Sequence, residues 1–196
     1  MELVFNQLFG QVKAINKKYE NISAITGEGY NIFKILKMQS AENRLHSAFI
    51  ANLLNPKGLH GQKDVFLRLF IEHIIPKDFV FETSHAEVEV EKHVGFKNAD
   101  KTEGGRIDIC ITDKGRNQII IENKLFAPDQ ENQLVRYSNY NKKACLIYLC
   151  LNSDKVSEFS CKDLIVNEDY QIVKYKTQII HWLNHCKKEA VSHPIL

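Results

Sequence analysis

Two acidic residues and a lysine, Asp108, Glu122 and Lys124, have the types and the spacing of a cation-binding catalytic cluster. Glu122 and Lys124 are two positions apart, so their side chains would share one face of a strand. Asp108 lies in the preceding apolar segment, and a three-residue loop at 114–116 would pair it directly with Glu122. Gly115 is expected to take the left-handed conformation that such a loop needs.

The chemistry of this cluster follows from its charges. Two carboxylates opposite each other repel unless a cation lies between them, and Mg²⁺ prefers oxygen ligands of this kind. The metal would polarise a phosphoryl oxygen and lower the pKa of a bound water, while Lys124 would orient that water or offset developing charge. An isolated Glu-x-Lys means little, but here it follows Ile119-Ile120-Ile121, which places the charges at the edge of a core.

The elements that must position these residues can be read from the hydrophobic pattern. Helices are predicted over residues 3–20, 31–37, 41–54, 63–75, 128–140 and 171–188. Strands are predicted over residues 88–92, 106–112, 118–124, 144–151 and 164–166. Ser40 is a good N-cap, and Pro76 ends a helix. This order predicts an α/β (α+β) domain with a mixed central β-sheet flanked by helices on both sides.

Length and composition set wider limits. The 196 residues are expected to form a single domain 1–196, with a helical part over 1–76, a core over 80–150 and a last helix over 170–189. A net charge of +2 neither requires nor excludes a nucleic-acid partner. The five cysteines include no CxxC pair, which favours reduced thiols and the cytoplasm. No leader and no bilayer-spanning run is visible, so no membrane association is expected.

Two segments together resemble the strand pair of the PD-(D/E)xK nuclease superfamily. They are Gly105-Arg106-Ile107-Asp108 and Ile119-Ile120-Ile121-Glu122-Asn123-Lys124, with Ile107 in place of the proline of the nominal motif. The resemblance implies a restriction-endonuclease-like core in which Asp108 and Glu122 bind Mg²⁺. It also implies that the Asn123 backbone carbonyl ligates the metal.

A second motif follows the Glu-x-Lys strand. Gln133 and Tyr137 are four residues apart on one predicted helical face, with Gln130 one turn earlier. This spacing resembles the Q-x-x-x-Y pattern of the RecB-like branch, in which the helix faces the site and contacts DNA. Arg106, beside Asp108, could bind a phosphate or pair with a carboxylate, and the sequence leaves both open.

The segments Glu42–Ser47, Leu53–Pro56 and His60-Gly61 resemble the N-terminal part of a bacterial PD-(D/E)xK subfamily. Related nucleases place a glutamate of this helix near the metal, which implies that role for Glu42. His46 and His60 are further candidates for the site, although a structural role is favoured for both. Farther along, His181 and His185 have the spacing of a metal pair, but no third ligand is nearby in sequence, so a plain helix surface is favoured.

The sequence therefore predicts a nuclease that hydrolyses phosphodiester bonds in DNA and depends on Mg²⁺, for which Mn²⁺ could substitute. Two alternatives stay open: a catalytically silent nuclease fold that binds DNA or a protein, and an RNA-directed nuclease. The intact set of Asp108, Glu122 and Lys124 argues against the silent module, but it does not separate DNA from RNA. A homo-oligomer or a partner protein is also left open.

Overall fold

A computed structural model describes residues 2–26 and 42–191 of the chain. The chain divides into two units, Met1–Gln39 and Ser40–Leu196. The first unit contains helix α1 (Glu2–Thr26), which confirms the helix expected over residues 3–20. The helix expected over residues 31–37 and the N-cap at Ser40 lie outside the described residues.

The second unit alternates helices and strands. A π-helical turn (Glu42–Ser47) continues directly as helix α2 (Ala48–Leu54), and helix α3 (Val65–Ile74) follows. The later elements, in chain order, are β1 (Glu87–His93), β2 (Arg106–Thr112), β3 (Gln118–Lys124), α4 (Gln133–Tyr140), β4 (Cys145–Cys150), α5 (Glu158–Cys161), β5 (Gln171–Lys174), a π-helical turn (Tyr175–Ile179) and α6 (Ile180–Glu189).

The five strands form one mixed sheet in the order β1-β2-β3-β4-β5. The first three strands are antiparallel, and β3, β4 and β5 are parallel. Ile109 pairs with Ile121, and Asp113 N donates to Asn117 O at 3.0 Å, which confirms the predicted hairpin register. The left-handed residue of the loop is Arg116 (φ 68°), so the expectation for Gly115 was wrong. A three-residue loop needs this conformation at its third position, after the type I turn.

Hydrophobic cores cover both faces of the sheet, which confirms the predicted architecture. On one face, α2, α3 and α6 contribute Leu54, Phe66, Phe70 and Trp182 to a core that includes Ile109. On the other face, Leu134 and Tyr137 of α4 pack against Ile120 and Tyr148. All five cysteines are buried free thiols. Among the helices of residues 2–26 and 42–191, none combines the length and the apolar character that a bilayer crossing requires.

Two predicted boundaries were wrong. Helix α4 begins at Gln133 rather than at Pro128. Asp129 does not take part in the helix, because its carboxylate accepts hydrogen bonds from Tyr148 Oη (2.9 Å) and Ser157 N (3.1 Å). Asn132, directly before the helix, has a left-handed backbone conformation (φ 53°).

The second error concerns residues 171–174, which form β5 instead of the start of the last helix. The β-branched pair Ile172-Val173 adds a parallel strand beside β4, with Val173 buried. The strand predicted over 164–166 is reduced to an isolated bridge between Val166 and Tyr170.

Candidate active site

An open cavity of about 440 Å³ lies at the start of β2 and the end of β3, beside α4. Asp108, Glu122 and Lys124 all line this cavity, so the structure brings the predicted cluster together. They are buried residues, with 9 %, 1 % and 8 % of their surfaces exposed. Buried charges are costly unless they are paired or bind an ion, which marks this group as a functional candidate.

Glu122 is the most deeply buried member of the cluster. Its Oε1 lies 2.9 Å from Lys124 Nζ and accepts a hydrogen bond of 2.7 Å from Gln133 Nε2. Burial, and after it the negative charge of Asp108, raises the pKa of Glu122 to about 8, although Lys124 opposes the shift. Without a further cation, one positive lysine does not offset two adjacent carboxylates.

Asp108 is held by the neighbouring strand. The backbone N–H of Asn123 donates a hydrogen bond of 2.8 Å to Asp108 Oδ2, and this contact is buried. Because the donor is in the strand that carries Glu122 and Lys124, the three functional side chains are fixed relative to one another by the hairpin itself.

Two carboxylate oxygens in this cavity point to a cation. Among the described residues, Glu122 Oε2 and Glu91 Oε1 are buried and have no hydrogen-bond partner. A buried carboxylate oxygen without a donor is destabilising, and a divalent cation is the partner that such oxygens accept. The donor set therefore fits a hard divalent metal at Glu122 and Asp108, with Glu91 on the same cavity wall.

Gln133 and Tyr137 are buried, and they connect α4 to the acidic cluster. Gln133 Nε2 donates to Glu122 Oε1 and lies 3.2 Å from Tyr137 Oη, which in turn donates to the Arg106 carbonyl at 2.6 Å. In this structure the pair therefore orients Glu122 and the start of β2. Contact of these two residues with nucleic acid stays a prediction.

A comparison of the sequence with known families now bears on this geometry. The sequence profile of the PD-(D/E)XK nuclease superfamily matches residues 30–194. The chain belongs to this superfamily. No match to this chain was found among the curated proteins or among the solved structures. Nucleases of the superfamily generally use divalent metal ions, in keeping with the cavity's unpartnered carboxylate oxygens.

The superfamily match includes the motifs seen in the sequence and extends beyond them, mainly on the C-terminal side. It covers the π-helical turn Glu42–Ser47, which packs against β2 and β3. Ser47 Oγ accepts a hydrogen bond of 2.9 Å from Asn123 Nδ2, and Tyr175 Oη donates to Asn123 Oδ1 at 3.0 Å. Through these two hydrogen bonds, the Asn123 side chain connects β3 to Ser47 and Tyr175. The side chain of Glu42 lies outside the described part of the structure, so its role as a ligand stays a prediction.

The cavity wall also contains charged residues outside the predicted catalytic cluster. Glu91 lies on β1 and forms an ion pair with the exposed Arg106. Arg106 thus has a carboxylate partner in this structure, and its contact with a phosphate stays a prediction. Lys97 donates to Gln130 Oε1 at 2.9 Å, and burial, followed by the positive charges of Arg136 and Lys101, lowers its pKa.

Arg136 is another cavity residue that the motifs missed, although it is only 1 % exposed. Its guanidinium donates to the backbone carbonyls of Glu131 and Lys101 and lies near Gln130 Oε1 (3.4 Å). Arg136 thereby holds the β1–β2 connection over the cavity. The only available signal was its position next to Tyr137, and an arginine in a polar helix is ordinarily read as solvated.

The two candidate histidines are not among the residues that line this cavity. His60 is buried, with Nε2 3.0 Å from Asn55 O and Nδ1 accepting from Gln62 N at 3.0 Å. These contacts give it the structural role favoured for it. His46 packs edge-on against Tyr175 and lines a separate apolar cavity with Phe49.

Proposed function

We propose that this nuclease-superfamily protein is a Mg²⁺-dependent deoxyribonuclease, in which Mn²⁺ can substitute for Mg²⁺. The observation that carries the proposal is the buried Glu122 carboxylate: one oxygen is shared by Lys124 and Gln133, and the other has no partner among the described residues. A structural carboxylate would be fully satisfied. A carboxylate oxygen that lacks a partner among the described residues, in a residue that lines a 440 Å³ cavity, suits a metal ligand.

Asp108 and Glu122 would hold the metal, and the Asn123 backbone carbonyl and Glu42 are the further ligands that the resemblance implies. When bound, the metal supplies Lewis-acid polarisation of a phosphoryl oxygen and a water of lowered pKa. The hydrogen bond from Asn123 N keeps Asp108 Oδ2 in place, so Asp108 is pre-organised before any metal arrives.

Lys124 is the candidate for the proton and charge chemistry. Its ammonium group lies 2.9 Å from Glu122 Oε1, where it offsets part of the carboxylate charge. Toward a bound phosphodiester, the same group would orient the attacking water or stabilise charge that develops on the phosphoryl oxygens. Gln133 is a positioning residue for Glu122, because it donates a hydrogen bond to Glu122 Oε1.

The walls of the cavity suit a polyanion. Lys97 and Arg106 line the cavity beside the acidic floor and supply positive charge for phosphates around a metal-binding centre. Gln130 is exposed in this cavity and could contact the backbone of the nucleic acid. Phe96 lines the same cavity and is 92 % exposed, so its ring is available to stack on a base. The choice of DNA over RNA rests on the resemblance of Gln133 and Tyr137 to the RecB-like helix.

The test is cleavage of linear and circular plasmid DNA, with a matched RNA as competitor substrate, in Mg²⁺, Mn²⁺ or EDTA. We expect cleavage of DNA with either metal and none with EDTA. A comparison of the cleavage of linear plasmid with that of circular plasmid then distinguishes exonuclease from endonuclease action. Cleavage of RNA alone, or binding of DNA without cleavage under every metal, would replace the proposal by one of its two alternatives.

Two substitutions and one control localise the activity. Asp108→Ala and Lys124→Ala should each abolish cleavage while the protein stays folded. Lys114→Ala removes an exposed lysine from the loop at the other end of the same hairpin and should cleave like the wild type. Equal activity of Lys124→Ala and Lys114→Ala would show that the cavity does not contain the catalytic lysine.

A further inference from the structure

Helices α3 and α6 are locked together by a buried tryptophan. The Trp182 ring is fully buried, its Nε1 donates to Phe66 O at 2.9 Å, and it packs edge-on against Phe70 at 5.2 Å between centroids. Both helices belong to the larger unit, and this contact fixes which of their other side chains face each other. A site shared by the two helices would therefore be largely preformed.

Three histidines meet where these helices touch the solvent. His73 is in the last turn of α3, and His181 and His185 are one turn apart on α6. The ring centroids of His73 and His185 are 4.2 Å apart, those of His181 and His185 are 4.6 Å apart, and those of His73 and His181 are 5.1 Å apart. One ring nitrogen from each residue lies within 4.8 Å of the other two.

This spacing is close to what one small cation needs. Three imidazole nitrogens around a tetrahedral Zn²⁺, at about 2.0–2.1 Å each, would be roughly 3.3 Å from one another. His181 is exposed, and rotation of its ring together with small side-chain adjustments of His73 and His185 would close the difference. The backbone need not move, because both helices are held by Trp182.

The chemistry of the cluster decides which metal it would prefer. Imidazole binds a metal through a ring nitrogen in its neutral form. The partly covered group of three histidines offers nitrogen ligands and no thiolate, since the neighbouring Cys186 is buried in the core. Such a ligand set selects transition metals over Mg²⁺.

We propose that His73, His181 and His185 form a second metal site, which binds Zn²⁺ or a similar divalent transition metal and clamps α6 to α3. Water completes the fourth position. This site shares no residue with the acidic cavity, and its metal preference differs from the one expected there. The metal connects two helices on one face of the sheet, so its binding stabilises the attachment of the C-terminal helix.

The test is a titration of untagged protein with Zn²⁺ in the presence of millimolar Mg²⁺, followed by competition with a chelating dye and by the melting temperature. We expect one equivalent of Zn²⁺ to bind and to raise the melting temperature. Co²⁺ in place of Zn²⁺ should produce the visible absorption of nitrogen-ligated tetrahedral cobalt. His181→Gln and His185→Gln should each weaken binding by about tenfold or more, since even second-shell changes cost that much at metal sites.

Two control variants separate this site from others. His85→Gln removes an exposed histidine that does not belong to the cluster and should bind Zn²⁺ as the wild type does. Glu122→Gln should also bind one equivalent of Zn²⁺. The proposal is overturned if the wild type binds no Zn²⁺, if His181→Gln and His185→Gln both bind as tightly as the wild type, or if Glu122→Gln is the variant that loses binding.

Discussion

Two buried carboxylates lie at opposite ends of the β2–β3 hairpin, and their surroundings differ in kind. Asp113, at the loop end, accepts hydrogen bonds from Asn117 N (2.8 Å), Asn117 Nδ2 (2.9 Å) and Glu82 N (3.1 Å). Glu122, at the cavity end, has one oxygen shared by two donors and one with no partner among the described residues.

The two pKa values follow these surroundings. Burial opposes the charge of Asp113, but hydrogen bonds from the Asn117 side chain and from backbone N–H groups outweigh it and lower its pKa. Burial and the nearby Asp108 raise the pKa of Glu122 to about 8. The fully hydrogen-bonded carboxylate of Asp113 stabilises the loop. The carboxylate of Glu122, which has one oxygen without a hydrogen-bond partner among the described residues, is suited to bind a cation.

A large difference between the two ends is expected in metal affinity. Glu122→Gln should weaken Mn²⁺ binding by about 100-fold or more, because it removes a ligand, and second-shell changes alone cost 10–100-fold. Asp113→Asn should bind Mn²⁺ as the wild type does. Isothermal titration of the three proteins measures this, and equal affinities in Glu122→Gln and wild type would rule out Glu122 as a ligand.

The pH dependence of stability should have opposite signs at the two ends. In metal-free protein the raised pKa of Glu122 gives stability that is present below its ordinary value of 4.5 and lost as the pH rises through about 8. The lowered pKa of Asp113 gives stability that is present above its ordinary value of 3.8 and lost as the pH falls through its folded value. Urea unfolding across pH should show that Glu122→Gln removes the alkaline loss and Asp113→Asn reduces the acid loss.

Truncation at the loop end should cost stability rather than activity. Asp113→Ala leaves two backbone N–H groups and the Asn117 amide without their acceptor, so we expect the free energy of unfolding to fall by about 2–3 kcal/mol. Cleavage per folded molecule should stay at the wild-type rate. A selective loss of activity at full stability would contradict the division between the two ends.

The smallest effect is expected at the residue that orients Glu122. Gln133→Leu keeps a similar volume but removes the 2.7 Å hydrogen bond to Glu122 Oε1, and we expect activity to fall by about tenfold. The loss should be partly recovered at high Mg²⁺ concentration, which a merely misfolded variant would not show. Activity unchanged at limiting Mg²⁺ would mean that Gln133 does not position the carboxylate.

Much of the site was predictable because it depends on local geometry. The loop over 114–116 sets the hairpin register, and that register alone places Asp108 opposite Glu122. The predicted register was correct although the left-handed conformation was assigned to the wrong residue. The reason is that the length of the loop decides which residues pair, whichever loop residue is left-handed.

Other parts depend on contacts between distant segments. The glycine-containing connection over 94–105 is too long to reveal a register, so the acidic face of β1 with Glu91 could equally be solvated or lie near the site, and the β1–β2 pairing decides for the site. Ile172 and Val173 fit a buried strand as well as an apolar helix face, and only the open edge of β4 decides between them. The third histidine of the α3–α6 cluster, His73, comes from a distant helix, which explains why His181 and His185 alone were read as a plain helix surface.

The most direct test of the proposed active site compares Glu122→Gln with Asp113→Asn in one plasmid-cleavage assay with Mg²⁺. Both variants replace a buried carboxylate of the same hairpin by its amide, and circular dichroism confirms that each is folded. We expect Asp113→Asn to cleave at the wild-type rate and Glu122→Gln to be slower by about a thousandfold, the scale of a lost transition-state interaction. Cleavage by Glu122→Gln at the rate of Asp113→Asn would contradict the assignment of the cavity end as the active site.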